Sequence, residues 1–153
     1  MSRSPLITLV SVVVPAVVMA TAACSPAEST ALTPDEYVEQ MGAACLATAE
    51  ALDALAPPTA DDVAEFATLA ADTIQAEAEA ARAIDPPDDL DADHRAFIAN
   101  TDDQASRWRE IGEIAATDAA ALDRSIQEIS QHTLGRDELV TEMGIDDCRR
   151  ATE

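Results

Sequence analysis

The chain has 153 residues, 30 Asp and Glu against 9 basic residues, and a net charge of −21. No lysine occurs and every basic residue is arginine, so no basic patch exists to neutralise phosphates, which excludes nucleic-acid binding on electrostatic grounds. Only 4 glycines and 4 aromatic residues are present, which argues against a strand-rich fold and against a large aromatic core.

Arg3 is the only charge before Glu28, and it precedes an apolar run from Leu6 to Val18 that closes on Thr21-Ala22-Ala23-Cys24. A cationic start, an apolar stretch and then small residues form the secretory signal pattern. The run to Ala23 is barely long enough for a bilayer span, which needs about 20 residues, and Pro15 interrupts it. Thr21 to Cys24 resembles the bacterial lipobox, whose cysteine is acylated and becomes the first mature residue, with Thr21 where Leu is usual. The expectation is therefore a lipoprotein signal peptide over 1–23, lipidation of Cys24, and a protein held on the extracytoplasmic face of the cell membrane. Acyl chains on one cysteine give lasting attachment, each buried methylene contributing about 0.8 kcal/mol. Residues 24–32 read as a flexible tether, leaving 33–153 as a single helical-bundle domain.

Without Arg3, 8 arginines face 30 carboxylates. Anionic lipid repels such a domain, so the membrane contact is through the acyl group alone. With Cys24 acylated, Cys45 and Cys148 remain as a pair in an oxidising compartment, and an intramolecular disulfide is expected between them.

Thr33-Pro34-Asp35-Glu36 is a capping box with Pro at the first helical position. Tyr37, Met41, Cys45, Leu52 and Leu55 follow at helical spacing, and Pro57-Pro58 ends the helix. Thr59 is the expected N-cap of a second helix whose inward face is Val63, Phe66, Ala70, Ile74, Ala81 and Ile84, with Glu65, Asp72, Glu77 and Glu79 mostly off it. Asp85 to Asp89, with Pro86 and Pro87, forms the next connector. A third helix from Leu90 or Asp91 buries Leu90, His94 or Phe97, Ile98, Thr101, Ala105, Trp108 and Ile111 or Ile114. A break is expected near Ala116 to Asp118 with Thr117 as cap. A fourth helix then carries Leu122, Ile126 and Ile129 inward and stops at Leu134-Gly135. Arg136 to Met143 make a short last helix, with Gly144 at its C-terminus. The connections are short, so neighbours run antiparallel. The fold class is all-α: an up-and-down bundle of four main helices plus a short C-terminal helix, closed by one disulfide.

The lipobox with a cysteine in the first helix, the connector Ile84 to Leu90 leading into Asp93-His94, and Gly144-Ile145 before Cys148 together resemble the small α-helical lipoproteins of actinobacteria. That resemblance implies the fold, the anchor and the disulfide; it implies no activity.

Residues that could carry chemistry are few. Asp89 to Asp93 has the start of a calcium loop, but His94 and Asn100 stand at its diagnostic sixth and twelfth places. His94 follows Asp91 by one turn and His132 follows Glu128 by one turn, yet no Glu-x-x-His motif occurs. There is no Gly-x-Ser-x-Gly and no phosphate-binding glycine loop. No catalytic, metal or cofactor-binding residue is assigned. The sequence points to a non-enzymatic envelope lipoprotein that binds another protein or a wall component, with a small-ligand or cation binder as the alternative.

Overall fold

A computed structural model describes residues 32–150 apart from 60 and 116; the signal stretch, Cys24 and most of the tether lie outside the described residues. Four helices run in sequence, α1 (Pro34–Asp53), α2 (Val63–Arg82), α3 (Asp91–Ile114) and α4 (Ala119–Glu142), followed by a 3₁₀ turn over Asp146–Cys148. No strand occurs among the described residues.

The α1 start forms as its sequence dictates. The Thr33 side chain accepts the Glu36 backbone N–H, and the Glu36 carboxylate accepts the Thr33 N–H at 2.9 Å, satisfying two otherwise orphaned donors. Those hydrogen bonds hold the Glu36 carboxyl below its ordinary pKa. At α2 the expectation shifts by three residues: Asp62, not Thr59, is the N-cap, and its carboxylate accepts the Thr59 backbone N–H. The break between α3 and α4 is real, but Asp118 rather than Thr117 caps α4, accepting the Ala121 N–H at 2.9 Å. Thr117 instead donates to the Ile114 carbonyl.

The expected stop at Leu134-Gly135 does not occur. Helix α4 runs through it to Glu142, and the residues assigned to a short last helix are its final turns. A mid-helix glycine costs only about 1 kcal/mol, and buried Arg136 immediately after it locks the helix in place. The short C-terminal element is the 3₁₀ turn. Between them lies a Schellman closure: Ile145 N–H donates to Val140 O at 2.9 Å, Gly144 N–H donates to Thr141 O at 3.2 Å, and Gly144 has φ +73°.

Packing is most extensive between α2 and α3, then α3 and α4, then α1 and α2; no Cα of α1 comes within 8 Å of one in α4 among the described residues. The terminal turn fills that gap, touching both helices. Gly42 permits it, since a Cβ there would sit 3.1 Å from an Asp147 carboxylate oxygen. The Cys45–Cys148 disulfide then staples turn to helix, with Cα atoms 4.9 Å apart, inside the usual range of about 4.4–6.8 Å. One core cluster gathers Tyr37, Met41, Cys45, Phe97, Val140 and Ile145 around this closure. A second, smaller one holds Ala67, Ile111 and Ile129 at the other end, with Trp108 against it. Ile126, expected inward, is 48% exposed, because the inward stripe of α4 runs through Leu122, Ile129, Arg136 and Val140.

Candidate functional site

Glu77 lies on α2 between Ile74 and Ala81, on the apolar stripe itself, and is 1% exposed. Arg136 of α4 is fully buried opposite it. Its Nη2 donates to Glu77 Oε1 at 2.8 Å, and its Nη1 donates to the Cys148 carbonyl. Arg150, after the terminal turn, donates to Glu77 Oε2 at 2.5 Å and to Gln104 Oε1 at 3.0 Å, while its backbone N–H donates to Asp137 Oδ1 at 2.9 Å. The Arg136 guanidinium lies 5.0 Å from the centre of the Phe97 ring, a cation–π arrangement, and its Nε has no hydrogen-bond partner among the described residues. Burial pulls the Arg136 pKa down to about 10, opposed by Glu77, so the guanidinium stays charged at neutral pH. One carboxylate thus joins α2, α4 and the chain end directly beneath the disulfide. Both its oxygens are occupied by guanidinium donors, which leaves it unsuited to take a proton from a substrate.

This cluster escapes the sequence reading, which sets Glu77 off the inward face. The signal that finds it is spacing: Ile74, Glu77 and Ala81 are three and four residues apart, the inward step of a helix.

Of the residues singled out from sequence, Cys45 and Cys148 are brought together, and Cys24 lies outside the described residues. His94 is 4% exposed, and its Nδ1 lies 2.9 Å from the Tyr37 hydroxyl, the rings meeting edge to face at 5.7 Å. The contact with Tyr37 ties α1 to α3 at this point. Burial lowers the His94 pKa, against the charges of Asp91 and Asp85. Burial raises the Tyr37 phenol well above its ordinary value, helped by Asp93.

The acidic connector gathers around no ligand position. Asp85, Asp88 and Asp89 are exposed, and Asp91 pairs with Arg95 at 2.8 Å. His132 faces Asp103 at 3.2 Å, while Glu128 pairs with Arg107 at 2.8 Å instead. Among the described residues no three His, Cys, Asp or Glu side chains are grouped to hold a metal ion. No described helix is long and apolar enough to cross a membrane.

Comparison with protein-family models, curated proteins and solved structures returned no match. Four large apolar side chains stand out from the surface: Leu46 at 47% exposure, Leu69 at 46%, Ile126 at 48% and Leu134 at 51%. Leu69 borders a cavity of about 200 Å³ between the end of α1 and the start of α2, lined by Leu55, Pro58, Phe66, Asp62 and Glu65. Depressions on α4, near Gln127 and near Leu134, are lined almost wholly by exposed residues and are shallow.

Proposed function

We propose that the protein is a non-enzymatic, lipid-anchored lipoprotein on the extracytoplasmic face of the cell membrane, and that its bundle surface binds another envelope protein or a wall component. The observation that carries this reading is the buried Cys45–Cys148 bridge. Such bonds persist in oxidising compartments, and this one leaves Cys24 as the single cysteine not in the bridge, at the end of the lipobox-like stretch. The engagement of His94 by Tyr37 and of Glu77 by two arginines supports the non-enzymatic part, since these groups hold the fold together.

Cell fractionation of Cys24→Ala tests the anchor. The variant should leave the membrane fraction or accumulate as unprocessed precursor, and the parent should carry acylated Cys24 as its first residue. A mature N-terminus at unmodified Cys24, or at any later residue, would refute the assignment. Crosslinking in intact cells tests the partner.

A further inference from the structure

No Arg, Lys or His occurs between Arg3 and Arg82. All of α1, the α1–α2 connection and α2 up to its last residue therefore carry negative charge only. Among the described residues three arginines reach this half from elsewhere in the chain: Arg136 and Arg150 meet the buried Glu77 carboxylate, and Arg109 of α3 lies at the surface with its Nη2 3.9 Å from Asp72 and 3.4 Å from Gln75. The cavity at the α1–α2 junction lies within this region. Its walls are Leu55, Pro58, Phe66 and the exposed Leu69, and Asp62 and Glu65 stand on its rim. Among the described residues neither rim carboxylate takes part in an ion pair, and the Asp62 carboxylate accepts the Thr59 backbone N–H. The Phe66 ring is fixed behind it by an edge-to-face contact with Trp108, centroids 5.7 Å apart.

We propose that this junction is the docking site for a cationic amphipathic segment of a partner protein, which inserts an apolar side chain over Leu69 and Phe66 and sets an arginine or lysine against Asp62 and Glu65. Two features choose that occupant. A cavity of about 200 Å³ is below the roughly 300–1,000 Å³ of small-molecule sites but accepts one or two side chains. The one-signed field around it steers and retains cations and repels acidic partners, including a second copy of this chain at net −21. Exposed ion pairs alone hold weakly, so the apolar insertion supplies affinity and the carboxylates supply selectivity. A helix laying one turn of apolar and basic residues into the junction meets both demands.

The proposal rests on the reading of the bundle as an interaction module, and two measurements separate their failures. The first uses the full chain in non-ionic detergent, titrated against a fluorescent 18-residue Leu/Arg amphipathic peptide at 150 mM salt and read by anisotropy against a detergent blank. Micromolar binding is expected, about tenfold weaker for Leu69→Ser and for Glu65→Lys, and within twofold of the parent for Glu142→Lys on α4. These positions are exposed, and circular dichroism verifies that each variant stays folded. The site is overturned by absence of binding, by equal binding of a Leu/Glu peptide, or by equal weakening by Glu142→Lys. Loss of Leu69 without effect would reduce the interaction to charge alone and also overturns it. The second measurement places a photo-crosslinking residue at Leu69 or at Leu134 in intact cells. Adducts at Leu134 but not Leu69 remove this site and keep the module; adducts at neither remove both.

Discussion

At the scale of single residues, His94 is the group whose chemistry the fold alters in a measurable way. It is buried against Tyr37, and burial lowers its pKa below the unfolded value of about 6.5. The unfolded chain therefore binds a proton more readily than the folded one. The stability contributed by neutral His94 is present above about pH 6.5 and is lost as pH falls through the folded value. The urea midpoint should drop between pH 7.5 and pH 5, and His94→Asn should flatten that slope even though it lowers the plateau. The carboxylates near the ring, Asp85 and Asp91, oppose the effect and limit its size. An imidazole NMR titration that gives His94 a midpoint at or above that of an unfolded peptide would contradict this account.

At the scale of elements, the buried ion cluster decides how α2, α4 and the chain end register. Glu77→Ala leaves Arg136 buried without its carboxylate, and removing one partner of a buried pair costs roughly 3–5 kcal/mol. Glu77→Leu combined with Arg136→Met should recover much of that loss, because the cost comes from the stranded charge. Chemical denaturation of the two variants measures it, and equal midpoints would contradict the argument. This cluster also marks where the sequence ceased to be readable. The helices and their order follow from local signals, the Thr33 capping box, the proline pairs and apolar spacing, and the Cys45–Cys148 partnership follows from the cysteine count once Cys24 is set aside. Glu77 and Arg136 carry no such signal, since a charged residue on a helix is usually solvated and only the opposite helix reveals its partner. Gly135 misled for the same reason: a weak local breaker yields to a buried anchor one residue later. The docking cavity was equally hidden, because it forms from two segments on either side of a proline turn. The absence of basic residues before Arg82 was nonetheless visible in the chain.

At the scale of the molecule, the bundle is thinly packed where α1 meets the rest. The core is rich in alanine, the α1 and α4 backbones stay more than 8 Å apart, and the terminal turn lies between them, with Arg136 of α4 reaching across to Cys45 Sγ at 3.6 Å. The disulfide carries a correspondingly large share of the stability. Closing a loop of 103 residues is worth roughly 4–5 kcal/mol in the chain-entropy model, against a total of about 5–15 kcal/mol for a typical domain. Replacing both cysteines by serine should lower the thermal midpoint steeply and loosen α1 first, which hydrogen exchange of the Tyr37 to Thr48 amides would reveal. Uniform exchange across all four helices would show that α1 is not the weak member.

The same bond governs what proteolysis of the chain can release. Every inter-helix connection, including the exposed stretch around Pro57 and Pro58, falls between Cys45 and Cys148. A backbone cut in any of them produces two polypeptides that remain one covalent object, separable on a gel only after reduction. The piece bearing α1 keeps the other three helices in tow, so a clipped molecule stays wherever its N-terminal end is held.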